Sequence, residues 1–212
     1  MQIVKVPGLN NLGMNNGCRD AGNALINELK RFRDISTIEL EEIHVNNSNL
    51  SEQDELIYNN SKELFNSKEK VIFLGGDHSI SYSIGRAFLE VFDRENSYLI
   101  VFDAHPDLMP AMKEPTHEEW LRALVEKGFN PENIILIGLR KIELEERQFL
   151  DKNKIKYYEL NKIENFDVVK IEDLLILKQG AETNRRDSEK GRKDILDILS
   201  LLFFCDVDFK DY

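Results

Sequence analysis

Six side chains that commonly bind divalent metal ions follow three separate apolar runs of this sequence. They are His78 after the first run, Asp103, His105 and Asp107 after the second, and Asp206 and Asp208 after the third. Each run has the length and composition of a short buried strand and ends directly at the polar residues. Because ligands of an open parallel sheet lie beyond the carboxyl ends of its strands, we expect the six side chains at one edge of a sheet.

The second run, residues 98–107, is the stretch around which the rest of the chain is organised. It begins with apolar residues 98–102 and continues with Asp103, His105 and Asp107 at alternate positions. The apolar half predicts a strand buried on both faces. Alternate positions of an extended chain point the same way, so the three polar side chains can converge on one point. Carboxylates combined with neutral imidazole suit a divalent ion such as Mn²⁺, Fe²⁺ or Zn²⁺.

The number of candidate ligands favours more than one metal ion. Six protein ligands, four of them carboxylates, exceed what a single tetrahedral ion requires. They suit two ions about 3.5–4 Å apart with bridging carboxylates and a bridging hydroxide. Taken singly, an aspartate after a strand is usually a turn or cap residue, and a lone histidine is more often structural than a ligand. The metal interpretation therefore depends on all three clusters falling at strand ends.

Strands and helices alternate along the chain. The predicted strands are 2–6, 37–45, 71–74, 98–102, 134–137, 155–160 and 201–204, and the predicted helices are 20–32, 51–65, 79–92, 117–128, 143–151, 171–177 and 194–200. Ser51 and Thr116 are predicted N-caps. The alternation predicts an α/β fold of three α-β-α layers around a mainly parallel sheet, in one domain over residues 1–212. Residues 178–193 are densely charged without apolar periodicity, which predicts a loop or disordered insert.

Composition limits the classes of partner. The net charge of −11 and pI of about 5.0 argue against nucleic acid or an anionic membrane surface, since both require a basic footprint. The same charge is compatible with a cationic substrate. Cys18 and Cys205 form no CxxC pair, which is typical of a reducing compartment. With no signal pattern at the start and no apolar run of membrane-spanning length, we expect a cytoplasmic protein.

Three motifs at the strand ends resemble the signature motifs of the ureohydrolases, the arginase and agmatinase family. They are GGDHS at residues 75–79, DAHPD at 103–107 and DVDFKD at 206–211. Their order and approximate separations fit that family, and segments 17–24 and 137–146 add further similarity. The resemblance covers essentially the whole chain. It implies an arginase/deacetylase-like three-layer fold and a manganese-dependent hydrolase of guanidino compounds.

The resemblance also implies a role for individual residues. His78 and Asp107 would bind one Mn²⁺, His105 and Asp208 the other, and Asp103 and Asp206 would bridge both ions. Asp107 would also hydrogen-bond the bridging hydroxide. His117 would act as proton shuttle to the leaving amine. The alternative interpretation is that His117 is an ordinary histidine at the start of a helix, directly after the cap residue. Asp77 would orient the ligands without binding metal itself.

The family resemblance implies that a homo-oligomer converts a small cationic guanidino substrate to urea and an amine. The 14-residue step from Asp103 to His117 resembles agmatinases more than arginases. Family members continue well beyond the position of Tyr212, so we expect a C-terminally truncated chain: a fragment, a natural truncation or the product of a disrupted frame. One alternative is a catalytically impaired or non-catalytic ureohydrolase-like domain that binds metal or partner subunits. Another is a metal-dependent deacetylase on the related fold, which GGDHS and DAHPD match less well.

Overall fold

The computed structural model describes residues 2–10, 15–32, 34–67 and 70–163. The strands of this part are β1 (Gln2–Val6), β2 (Glu39–Glu42), β3 (Val71–Gly75), β4 (Leu99–Phe102), β5 (Ile134–Leu139) and β6 (Lys156–Glu159). Its α-helices are α1 (Ala21–Phe32), α2 (Leu50–Ser67), α3 (Ile80–Val91), α4 (Trp120–Glu126), α5 (Leu144–Asn153) and α6 (Leu160–Ile163). The elements predicted for 171–177, 194–200 and 201–204 and the insert predicted at 178–193 lie outside the described residues. A single domain over the whole chain stays a prediction.

All strand pairings of the described residues are parallel. One three-stranded sheet has the order β2-β1-β3, and a second has the order β4-β5-β6. Parallel neighbours require crossover connections. Helix α1 connects β1 to β2, α4 connects β4 to β5, and α5 connects β5 to β6, while α2 leads from β2 to β3 on the other side of β1. The α/β class and the parallel sheets confirm the fold predicted from the alternation of elements. No helix of the described part is long and apolar enough to cross a membrane.

The first sheet is covered on both faces, because successive residues of β1 point to opposite sides. Val4 and Val6 are fully buried and belong to a cluster that includes Ile57 of α2 and Ile80 of α3. Ile3, on the opposite face, belongs to a cluster with residues of and after α1. This arrangement is the α-β-α layering that the sequence predicts, and it fixes the carboxyl ends of β1 and β3 beside each other.

The second sheet has one well-covered face. Leu136 of β5 packs in a cluster with Trp120 and Leu124 of α4, and Leu99 and Val101 of β4 pack against that cluster from positions that are partly buried. The other face of β4 is different, since Ile100 is 56% and Phe102 is 73% exposed. The prediction that this strand is buried on both faces is therefore wrong for the described part of the chain. The apolar composition of a strand indicates that its faces can be buried. It does not indicate which helices pack against them, because those helices lie elsewhere in the sequence.

Helix α2 has a different N-cap residue from the one predicted. Asn49 accepts a hydrogen bond from the Glu52 amide through its side-chain oxygen at 3.3 Å, and the helix begins at Leu50. Ser51 therefore lies inside the first turn and is not the cap. Asparagine is as good an N-cap as serine, so composition alone could not choose between the two positions.

The glycine pair after β3 allows two loops to approach closely. Gly76 donates its amide to the carbonyl of Val6 at 2.8 Å, and Asp77 donates to the carbonyl of Gly8 at 3.1 Å. A Cβ atom at Gly76 would lie 2.0 Å from the oxygen of Gly8, a distance that no side chain tolerates against backbone. Glycine at this position therefore lets the loop after β1 support the loop that carries the first candidate ligand.

Replacing Gly76 by alanine should lower the free energy of unfolding by about 1–3 kcal/mol, because the added methyl group must displace backbone. Chemical denaturation followed by circular dichroism measures the change. Gly17→Ala is the matched control, since a Cβ at Gly17 would meet no atom within 4 Å. Equal stability of the two variants would contradict the close approach at Gly76.

Candidate metal centre

Three of the predicted ligands converge in space. One ligand atom from each of His78, Asp103 and Asp107 lies within 4.8 Å of the other two. Nδ1 of His78 lies 2.9 Å from Oδ2 of Asp107 and 3.6 Å from Oδ2 of Asp103. Two carboxylates and an imidazole at this spacing are a donor set that fits a divalent ion such as manganese. The cluster joins the end of β3 to the end of β4, two strands that belong to different sheets of the described residues and not to one sheet as predicted.

The loop after β3 is held in place by Asp77. This carboxylate is 7% exposed and accepts hydrogen bonds from the amides of Ser79 and Asn10, each at 3.1 Å. The hydroxyl of Ser79 also donates to Asp77. Ser79 occupies the N-cap position of α3, but its side chain makes no capping bond because the hydroxyl is used in this way. Asp77 thus fixes the backbone on either side of His78 and lies outside the ligand cluster.

The loop after β4 turns immediately after Asp103. The amide of His105 donates to Oδ1 of Asp103 at 3.0 Å, a side-chain turn, and Asp107 has a left-handed backbone with φ of 53°. The expectation of an extended chain with three side chains pointing one way is therefore wrong. Asp103 and Asp107 meet through the turn, whereas His105 is largely exposed, with Nδ1 3.8 Å from Oδ1 of Asp103. Aspartate tolerates the left-handed region better than most residues do.

The end of β5 fixes the start of this loop. Gly138 has φ of 98°, and the pairing of β5 with β6 shifts register around it. Beyond the shift, the amides of Arg140 and Lys141 both donate to the carbonyl of Ala104, at 2.8 and 3.2 Å. A left-handed backbone at this position favours glycine, which explains the glycine at position 138 of segment 137–146. The loop between Asp103 and Asp107 is therefore anchored by the neighbouring strand end.

A buried glutamate of α5 supports the far end of the loop. Glu146 is 5% exposed and accepts the amide of Leu108 at 3.1 Å and the amide of Glu143 at 2.9 Å. The second bond is half of a capping box between Glu143 and Glu146 at the start of α5. Sequence reasoning did not single out Glu146. The spacing of the two glutamates indicates the capping box, but nothing local indicates the bond to Leu108, 38 residues away.

Trp120 contacts two of the three converging side chains. Its Nε1 donates to Oδ2 of Asp107 at 2.8 Å, and its ring centre lies 4.7 Å from that of His78 at an interplanar angle of 64°. The indole is 3% exposed. Sequence reasoning also missed this residue, because a tryptophan at the start of an apolar helix pattern is ordinarily a core residue.

The turn before α4 differs from the predicted helix start. The hydroxyl of Thr116 accepts the amide of Glu118 at 3.2 Å, and Glu119 accepts the amide of Thr116 at 3.1 Å. These reciprocal bonds form around a turn, and the helix itself begins only at Trp120, three residues later than predicted. His117 lies in this turn. Its Nδ1 atom is buried and has no hydrogen-bond partner among the described residues.

Residues 110–117 form an excursion from the loop that follows β4. The amide of Met109 donates to the carbonyl of Glu118 at 3.2 Å, which closes the excursion at its base. Met112 and Lys113 are exposed at its tip, and Met112 is 59% exposed. The predicted ligands Asp206 and Asp208 lie outside the described residues. The structure thus describes four of the six predicted ligands, those that follow β3 and β4.

The parallel α/β fold and the cluster of His78, Asp103 and Asp107 define an α/β protein with a candidate metal site. Comparison of the sequence with known families identifies the family. The family model described as "Arginase family" matches residues 10–183, and the chain belongs to this family. The resemblance to the ureohydrolases inferred from GGDHS and DAHPD is therefore confirmed.

Individual relatives are similar over part of the chain. An arginase of Staphylococcus aureus is 32% identical over 146 residues, which are 59% of this chain and 48% of that protein. An agmatinase of Blochmanniella floridana is 28% identical over 107 residues, 50% of this chain and 35% of that protein. A structure of Trypanosoma cruzi formiminoglutamase with Mn²⁺ has the same fold, with a TM-score of 0.65, 18% identity, and coverage of 76% of this chain and 60% of that one. The chain spans about half the length of the arginase relatives it matches.

Replacing Glu146 by alanine should reduce stability by about 1–3 kcal/mol, because the buried amide of Leu108 loses its acceptor. Hydrogen exchange of that amide, measured by NMR, should accelerate more than exchange in β1. The matched control is Glu145→Ala on the same helix turn, where the side chain is exposed. If both variants leave exchange at Leu108 unchanged, Glu146 does not anchor the loop.

Proposed function

We propose that this protein is a dinuclear manganese amidinohydrolase that hydrolyses a guanidino compound, agmatine or an arginine-like molecule, to urea and an amine. The observation that carries the proposal is the convergence of His78, Asp103 and Asp107 in a chain of the arginase family. Similarity to both an arginase and an agmatinase supports the reaction class and leaves the two substrates as candidates. Cytoplasmic location and homo-oligomeric assembly stay predictions.

The donor set supports manganese binding. In this proposal His78 and Asp107 would hold one ion, His105 and Asp208 would hold the other, and Asp103 and Asp206 would be shared by the two. Asp103 lies 28% exposed between His78 and His105, which is a position suited to a bridging carboxylate. The imidazole of His105 is exposed, so rotation about its side-chain bonds can bring it to a bound ion.

The chemistry assigns a task to each group of the chain. Guanidinium is a resonance-stabilised cation and a poor electrophile, so its hydrolysis requires a strong, positioned nucleophile. Two bound Mn²⁺ ions would supply a hydroxide at neutral pH. Asp107 would accept a hydrogen bond from this hydroxide and orient it toward the guanidino carbon. The carboxylates around the site would stabilise the cationic guanidinium group of the substrate. Addition of hydroxide gives a neutral tetrahedral intermediate, and His117 would donate the proton that the leaving amine requires.

The charge of the protein favours a cationic substrate. The net charge is −11, and the carboxylates of Asp103 and Asp107 lie together at the candidate centre. Such a field attracts a guanidinium ion and disfavours anionic ligands.

Metal content tests the centre directly. Protein loaded with Mn²⁺ and freed of excess by gel filtration should retain about two ions per chain, measured by atomic emission, if two ions are bound as in other two-metal sites. Asp103→Asn removes the proposed bridging charge and should abolish retention. Asp151→Asn, an exposed aspartate of α5, is the control and should retain manganese like the wild type. Well under one ion per wild-type chain would overturn the dinuclear centre.

Urea release tests turnover. The manganese-loaded protein should release urea from at least one of agmatine, arginine and guanidinobutyrate. His117→Ala should lower kcat by about 100-fold or more, since a positioned general acid contributes at least that much. Bound manganese without urea from any of the three would refute the hydrolase and leave a metal-binding domain without turnover.

A further inference from the structure

The single tryptophan of the chain has its polar atom aimed at the candidate metal centre. Trp120 is 3% exposed, and its Nε1 donates a 2.8 Å hydrogen bond to Oδ2 of Asp107. The same oxygen lies 2.9 Å from Nδ1 of His78. One oxygen of the Asp107 carboxylate therefore accepts the indole hydrogen bond and also lies beside a second candidate ligand, His78.

The indole also restricts His78 by contact. The two ring centres lie 4.7 Å apart at an angle of 64°, an edge-to-face arrangement of the kind that aromatic pairs prefer. The side chain of His78 is 38% exposed. Its imidazole therefore faces solvent on one side, and the indole of Trp120 restricts its orientation on another. Trp120 thus contacts one side chain from each of the two loops that build the cluster.

We propose that Trp120 is a positioning residue of the metal centre, which orients Asp107 through the indole N–H and His78 through ring contact. The inference deepens the proposed function and rests on it, because it concerns the same metal site. Partners in the layer around metal ligands fix the orientation of carboxylates and imidazoles before the ion binds. The left-handed backbone at Asp107 places its carboxylate, and the indole hydrogen bond then fixes the plane of that carboxylate.

Core packing alone does not account for the indole nitrogen. Trp120 also belongs to the hydrophobic cluster with Leu121, Leu124 and Leu136. An entirely apolar aromatic side chain would serve that cluster, since a buried N–H requires a partner and adds a constraint. The hydrogen bond to Asp107 is the part of the contact that packing does not need, and it is the part that a conservative substitution can remove.

The test is manganese affinity, measured by isothermal calorimetry on the full chain. Trp120→Phe keeps an aromatic ring and removes the N–H, and Mn²⁺ should bind it about 10- to 100-fold more weakly than the wild type. Tyr82→Phe is the matched control, because Tyr82 lies in the same core cluster and its ring faces the guanidinium of Arg86, which is not a candidate ligand. Its manganese affinity should equal that of the wild type.

A second substitution separates shape from hydrogen bonding. Because the chain has one tryptophan, growth on benzothienylalanine replaces this side chain alone and exchanges the N–H for sulfur in a ring system of the same shape. This protein should fold like the wild type and show the same loss of manganese affinity as Trp120→Phe. It also keeps the inference testable if Trp120→Phe does not fold.

Fluorescence gives an independent readout in the wild type. Paramagnetic Mn²⁺ bound beside Asp107 should quench the emission of Trp120, with a midpoint equal to the calorimetric dissociation constant. If the wild type binds no manganese, the proposed function fails. If the wild type binds manganese but the benzothienylalanine protein binds it with unchanged affinity, the metal centre stands and the positioning role of Trp120 is refuted.

Discussion

The structure around the candidate centre depends on holding two carboxylates and an imidazole within 4.8 Å of one another. Two like charges at about 4 Å repel by about 4 kcal/mol where the effective dielectric constant is about 20. Asp103 and Asp107 are therefore kept together by the backbone that carries them and by donors from other elements. The amides of the β5 end fix the start of the loop, the indole of Trp120 binds Asp107 directly, and Glu146 holds the following residue.

Much of this arrangement could be predicted from the sequence, because strand ends and polar clusters are local features. The apolar runs at 71–74 and 98–102 coincide closely with β3 and β4, and each ends at candidate ligands. The strands β3 and β4 belong to different sheets of the described residues, yet their carboxyl ends bring Nδ1 of His78 to 3.6 Å from Oδ2 of Asp103. Glycine in the GGDHS motif is also the residue type that permits the close approach of backbone seen at Gly76.

The remainder could not be predicted, because it depends on partners far apart in the sequence or on backbone conformation. Glu146 and Trp120 look like ordinary helix residues until the loop they bind is folded against them. Because Asp107 has a left-handed backbone, its side chain does not follow the alternation expected of an extended chain. Ile100 and Phe102 on one face of β4 are exposed. The hydrophobicity of a strand thus indicates that a face can be buried, but it does not identify the element that packs against that face. The roles of all six predicted ligands and of His117 stay predictions.

The loop after β4 has two parts with opposite tolerance to changes of length. Between Asp103 and Leu108 the backbone is tied at several points to β5 and α5, so inserting one residue would break the ties to Ala104 or Leu108. The excursion of residues 110–117 is closed at its base by one bond from Met109 to Glu118 and is exposed at its tip. Lengthening an exposed tip costs little, since loop entropy grows slowly with length. Diversification of this protein should therefore accumulate insertions and deletions at 110–115 while the length of 103–108 stays constant.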